Sequence, residues 1–215
     1  MTTYNVDNHA FCRLLALHVR LNTLHASELK LQSMYYEDEY DGFILVFHHV
    51  GDWEEMEKLL LVQVDWRNTT LGAENPKTLV SMGNLASTYW NQGRWDEAEM
   101  LFVDVMIATK AKFGSNHPDT LISMGNLAST YRNQGRWDEA EKLFVDVMNA
   151  TKARLGSDHP YTLTIMSSLA STYMDQGRWD EAENLCVDVM NSSKAKLGSD
   201  HPETLISMGN LASAY

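Results

Sequence analysis

Apolar positions return every three or four residues along most of the chain. Between residues 118 and 134 they fall at Leu121, Met124, Leu127, Ala128 and Tyr131, which lie on one face of a helix. Gly135 follows, where a helix must stop and the chain must turn. Trp137, Ala140, Leu143, Phe144, Val147 and Met148 then make the matching stripe of a second helix. Asp138 and Glu139 lie in its first turn and Lys152 and Arg154 near its end, both signs suited to the helix dipole. Gly156 closes it. Asp158-His159-Pro160 opens the next helix, since proline in a first turn has no N–H to leave unpaired.

The same pair of helices is written several times. GRWDEAE begins at Gly93, Gly135 and Gly177, and a worn copy, GDWEEME, begins at Gly51, a step of 42 residues each time. NLASTY or a near relative begins at Asn84, Asn126, Ser168 and Asn210. The copies that start at Gly93 and Gly135 differ at 12 of 42 positions. A fixed period of this size predicts an all-α array of antiparallel hairpins, each unit resting on its neighbours. Small residues recur where the two helices of a hairpin approach: Ala86, Ala128, Ala170 and Ala212 on the first, Ala98, Ala140 and Ala182 on the second. Trp137, Tyr131 and Phe144 are expected to fill the spaces between hairpins.

The period divides the chain. Residues 1–33 read as an N-terminal helical cap or the remnant of a preceding domain, with a helix over 8–31 carrying Phe11, Leu14, Leu15, Val19 and Leu21. Residues 34–75 are a degenerate first repeat, in which Phe43, Ile44 and Phe47 take the places of Leu85, Ala86 and Tyr89. Full repeats follow at 76–117, 118–159 and 160–201, and 202–215 is a truncated half-repeat. That last apolar helix lacks its partner, which points to a chain cut short or to an open end that pairs with another copy.

Charge narrows the partners. Against 29 acids there are 17 bases, a net charge of −12, the opposite of a nucleic-acid-binding footprint and unsuited to anionic membrane. No apolar run approaches the ~20 residues needed to span a bilayer. The two cysteines, Cys12 and Cys186, are far apart, and Cys186 stands where other copies carry Phe102 and Phe144, so it reads as a core residue in a reducing, cytoplasmic setting. Residues 10–21, AFCRLLALHVRL, are interrupted by Arg13 and do not read as a signal peptide.

No phosphate-binding loop, no G-x-S-x-G and no H-E-x-x-H occurs, so neither catalysis nor a cofactor is expected. His117, His159 and His201 recur once per repeat. Neighbouring helices pack ~10 Å apart, too far for equivalent histidines to share one zinc at ~2 Å bonds. They are expected to set the turn into the next helix. His48-His49 reads as packing or surface. Met82, Met106, Met124, Met148, Met166, Met190 and Met208 follow the helical stripe and read as core filling, and Trp53, Trp95, Trp137 and Trp179 as the structural aromatic of the repeat. Trp90 differs, because its equivalents are Arg132 and Met174.

The order small–aromatic–Gly–aromatic–Ala–aromatic resembles the tetratricopeptide repeat, whose usual period is 34; the extra residues here lengthen the two helices. The longer form, with its LG…HP…T linker, is similar to the repeats of kinesin light chains. LASTYRNQGRW is more similar still to the repeat arrays at the C-terminal end of fungal NOD-like (STAND) receptors. The resemblance covers about residues 33–215 and implies a right-handed α-solenoid. It implies a non-catalytic protein–protein interaction scaffold, the sensor part of a STAND-type receptor or alternatively a cargo adaptor like a kinesin light chain. The missing phosphate-binding loop leaves the receptor's ATP chemistry out of the comparison.

The resemblance also implies a site. In that family the first helix of each hairpin lines the concave groove. Its ligand-contacting positions correspond to Asn84, Ser87, Trp90 and Asn91, then Asn126, Ser129, Arg132 and Asn133, then Ser168, Ser171, Met174 and Asp175, with Asn210 starting a fourth row. Side-chain chemistry supports the choice. Asparagine offers a donor and an acceptor to an extended backbone, and Trp and Arg are enriched at binding hot spots. Alternatively the asparagines tie neighbouring helices together. Gly83, Gly125 and Gly209 stand where chaperone-binding relatives carry carboxylate-clamping lysines, which argues against such a clamp. The expected partner is a protein or peptide, with self-association through the half-repeat a further possibility; nucleic acid and membrane are not expected.

Overall fold

The computed structural model describes residues 37–212. The proposed cap at 1–33, Cys12 and Tyr215 lie outside them. Nine helices occupy the described residues, with no strand among them: α1 (Glu37–Val50), α2 (Trp53–Leu71), α3 (Pro76–Asn91), α4 (Trp95–Phe113), α5 (Pro118–Asn133), α6 (Trp137–Leu155), α7 (Pro160–Asp175), α8 (Trp179–Leu197) and α9 (Pro202–Ala212). The two kinds of helix alternate, 16 residues for α3, α5 and α7 and 19 for α4, α6 and α8.

Local chemistry sets these bounds. Gly135 and Gly156 sit at φ +77° and +97°, a region other residues rarely adopt, and they end α5 and α6. Pro118 and Pro160 occupy first helical turns. Before each proline stands an N-cap whose side chain accepts from a backbone N–H: Asn75 from Lys77, His117 from Asp119 and His159 from Tyr161, at 3.0, 3.2 and 3.2 Å. His117 and His159 thus set the turn into the next helix, and Nδ1 does so as an acceptor. His159→Ala is expected to cost about 1 kcal/mol, while His159→Asn, which copies Asn75, should keep most of that stability. Urea denaturation of the two variants checks this.

The chain divides into two compact units, one to Leu101 and one from Phe102. In unit 1, Phe47 and Leu60 are fully buried among Ile44, Met56, Leu59 and Leu85, with Tyr89 and Trp53 packed against them. His48 meets the Trp53 ring edge-on, centroids 5.6 Å apart. In unit 2, α5 packs on α6, α6 on α7, α7 on α8 and α8 on α9, and α5 also touches α7. Ala128, Ala140, Phe144 and Val147 are completely buried there, with Leu121, Ile165 and Leu169. Leu163, Met166 and Val189 form a second cluster, and Cys186 is buried as expected of a core residue.

Two expectations about packing change. Trp95, Trp137 and Trp179 are 38%, 39% and 52% exposed, so they do not fill the spaces between hairpins. Each is the first residue of its helix, beside the turn. Phe144 does the filling. Met208 is 47% exposed, whereas its equivalent Met166 is buried beneath α8.

Candidate functional site

The residues singled out for a groove fall on three first-type helices and the start of a fourth. On α5, Asn126, Ser129 and Asn133 are spaced by three and four and share one face; Asn84, Ser87 and Asn91 repeat that spacing on α3, and Ser168, Ser171 and Asp175 on α7. Their chemistry is not uniform. The hydroxyls of Ser87, Ser129 and Ser171 each donate to the carbonyl four residues back, at Gly83, Gly125 and Ser167, 3.0 Å away in every case. Ser168 does the same with Thr164, and the Asn91 amide donates to the Ser87 carbonyl. By contrast, the side-chain amides of Asn84, Asn126, Asn133 and Asn210 have no hydrogen-bond partner among the described residues. Asn84 is exposed and the others are half-buried, and no hydrogen bond from these amides joins one helix to another among the described residues.

The variable position behaves differently in each row. Trp90 is half-buried in α3, and its indole N–H is buried with no acceptor among the described residues. Met174 is half-buried in α7. Arg132 does not stand free in the row. Its Nε lies 3.0 Å from Asp175 Oδ2, so the structure brings together two of the residues chosen separately. Tyr161, the second residue of α7, reaches across to donate its hydroxyl to the Leu121 carbonyl at 3.0 Å, and burial pushes its phenol up to about 12. A side chain at Gly125 would meet that oxygen at 3.0 Å.

Three features escaped the sequence reading. The first is a cavity of about 530 Å³ in unit 1, between α1 and α3, with Leu45, His48, Lys77, Val80 and Asn84 among its lining. Leu45 and His48 occupy in α1 the places of Ser87 and Trp90, so the degenerate repeat contributes a row of its own. The second is a polar network around the buried Gln63 and Arg67. Arg67 donates to Ser81 Oγ at 2.7 Å and to Asp41 Oδ2 at 3.1 Å, and Gln63 donates to Asp41 Oδ1 at 2.7 Å. The signal was visible: Gln63 and Arg67 stand where later repeats carry valine and threonine or serine.

The third is a clasp built from the QGRWDE motif. Arg94, Arg136 and Arg178 lie over the rings of Tyr89, Tyr131 and Tyr173, 4.1, 4.0 and 4.2 Å from the centroids. Each pairs with the glutamate three residues on: Glu97, Glu139 or Glu181. Arg94 also reaches Glu57 of the preceding hairpin, and Arg178 reaches Glu141, at 2.8 and 2.7 Å. Gln92 and Gln176 donate to those same two glutamates. Hydrogen bonds from the arginines hold the carboxyls of Glu97, Glu139 and Glu181 below their ordinary value of 4.5. At Glu141 burial acts upward, but the bonds from Arg178 and Gln176 outweigh it and the net shift is down.

A carboxyl lowered in the folded state contributes stability that is complete above its unfolded value and is lost as pH falls through its folded one. Thermal melts should therefore be nearly flat from neutral pH down to about 4.5 and fall below it. Arg178→Gln should make that acid limb shallower, as melting curves recorded across the acid range would show.

Among the described residues no group of histidine, cysteine, aspartate and glutamate side chains is placed to hold a metal, and no helix is long and apolar enough to cross a membrane. The long first and second helices, their alternation and the alanines at their crossings define a class, the helical-hairpin repeat scaffold. Two tetratricopeptide repeat family models match the chain, one over residues 40–106, 82–153 and 119–173 and the other over 162–203. The chain belongs to the tetratricopeptide repeat family.

No curated protein matches it. Among solved structures it is similar to a protein from Podosopora anserina, described as a kinesin light chain with nearly identical TPR-like repeats. A point-substituted form of that protein is 31% identical, with 84% of this chain and 85% of that one covered and a TM-score of 0.74. BtubC from P. vanneervenii shares the fold at 15% identity, over 96% of this chain and 81% of that one, with a TM-score of 0.72. So does the Signal Transduction ATPase with Numerous Domains (STAND) protein with a tetratricopeptide repeat sensor from Pyrococcus horikoshii, at 15% identity and a TM-score of 0.66. That match covers 98% of this chain but 34% of the STAND protein.

Proposed function

We propose that the chain is a non-catalytic scaffold that holds a segment of a partner protein against its first-type helices. The observation that carries this reading is the set of unpartnered, accessible amides. Asn126, Asn133 and Asn210 in unit 2 can each give and take a hydrogen bond, as a peptide backbone requires whatever its sequence. In unit 1 Asn84 does the same at the edge of the cavity beside Leu45 and Val80, where a partner's apolar side chain would be buried. Side chains at the variable position, Trp90, Arg132 and Met174, add selectivity to that general grip. Ser87, Ser129, Ser168 and Ser171 contribute shape and acceptor oxygens, since their hydrogens are engaged. We place this scaffold in the cytoplasm, as the sensor part of a STAND-type receptor.

An affinity pull-down from the source cell's lysate tests the reading. A chain carrying Asn126→Ala and Asn133→Ala, matched to wild type in helical circular dichroism, should lose a partner that wild type retains. Partners kept equally by both would remove the asparagines from the interface. A cargo adaptor is the second reading, favoured by the higher identity to the Podosopora anserina protein described as a kinesin light chain. Capture of motor subunits rather than an ATPase partner would select it. Leu205 is 54% exposed where Leu163 is buried, which supports self-association through α9. A monomer at all concentrations in light scattering would rule that out.

A further inference from the structure

At two positions of the second-type helices, the joints of unit 2 carry little to tell one hairpin from another. At its contact with the next hairpin α6 presents Val147 and Thr151, both completely buried, and the Thr151 hydroxyl donates only to carbonyls of its own helix, at Val147 and Met148. Val189 and Ser193 repeat that arrangement in α8, both buried. Such a surface would accept the equivalent helix of any copy of this chain. Proteins built from closely similar repeats misassemble by exchanging such elements.

Unit 1 is built otherwise at the same two positions. Gln63 and Arg67 of α2 are each 3% exposed, and their bonds leave the helix. Gln63 reaches Asp41 of α1 and accepts from Ser81 of α3; Arg67 reaches Asp41, Ser81 and the Lys77 carbonyl. Asp41 is the part that cannot be supplied elsewhere. The corresponding residues of the other first-type helices are Gly83, Gly125, Ser167 and Gly209, none with a carboxylate.

We propose that the Asp41–Gln63–Arg67 network is a pairing key. It assigns α2 to its own α1 and prevents α2 from docking on an equivalent helix of a second copy. The uncovered side of α9 is the place where such an exchange would occur. Leu205 and Met208 are exposed there, whereas Leu163 and Met166 lie beneath α8. An α2 laid on α9 would bring Arg67 beside Gly209, a buried cation with no counter-ion. Replacing a buried ion pair by well-packed apolar groups is often neutral or stabilising, whereas leaving one partner alone is strongly unfavourable. The network therefore discriminates between partners more than it adds stability.

The test gives the first hairpin the residues of the second: Asp41→Gly, Gln63→Val and Arg67→Thr in the full chain. Wild type and the triple variant are each unfolded in denaturant as mixed donor- and acceptor-labelled populations and refolded at high concentration. Dimers are then measured by light scattering and energy transfer. The variant should melt at or above the wild-type temperature and yield about tenfold more mixed dimer, the ratio that a modest loss of discrimination produces. An unchanged dimer fraction overturns the proposal. A variant that melts lower, or fails to fold, overturns it equally, because the network would then be a stabilising element and not a key.

Discussion

Phe144→Ala is expected to destabilise the chain by about 3–5 kcal/mol, the range for truncating a fully buried aromatic ring. Phe144 is completely buried in the cluster that joins α5, α6 and α7, against Leu121, Ala128, Ala140, Ile165 and Leu169. The rigid first-type helices on either side would not collapse into the space left, so the cavity contribution stays large. The chain contains its own control. In the next hairpin the same position is Cys186, also buried, and Cys186→Ala should cost only about 1 kcal/mol. Chemical denaturation followed by helical circular dichroism compares the two. Equal costs would mean that the ring at 144 is not what fills the joint.

The second large effect is expected at Asp41. Asp41→Ala should cost about 3 kcal/mol, the lower end for breaking a buried ion pair. The lower end applies because the Asp41 side chain is 58% exposed, and water can partly replace it. Its partner has no such relief, since the Arg67 side chain is 4% exposed. Adding Arg67→Thr to Asp41→Ala should recover most of the loss. A double-mutant cycle in denaturant midpoints checks both statements, and a double variant no more stable than Asp41→Ala alone would refute the pairing.

Much of the fold was legible because its rules are local and repeated. The glycine at each turn, the proline in each first turn and the apolar stripes at helical spacing are fixed by backbone chemistry, and the 42-residue period repeats them. The alanines at 128 and 140 announced close approach and are completely buried. The tryptophans misled because burial depends on where along a helix a ring lies, and Trp137 lies at the end beside the turn. The Arg–Tyr–Glu clasp was missed because Arg136 and Glu139 on a helix surface read as ordinary charges, and only the fold shows the ring beneath. For the candidate site, residue types gave the rows but not their hydrogen bonding. Ser129 and Asn126 look equally available in the sequence, yet the serine hydroxyl is taken by its own helix and the asparagine amide is not. The cavity in unit 1 was hidden by the divergence of α1, where Leu45 and His48 no longer resemble the rows they continue.

The sameness of the joints in unit 2 also bears on how such a gene can change. Arg178 finds Glu141 of the hairpin before, and Gln176 finds the same carboxylate, through residues that recur every 42 positions. Unequal recombination between near-identical coding segments adds or removes one whole period, and the inserted hairpin brings matching halves of each joint with it. The number of asparagine rows can thus be varied by inheritance while the packing chemistry of each step is preserved.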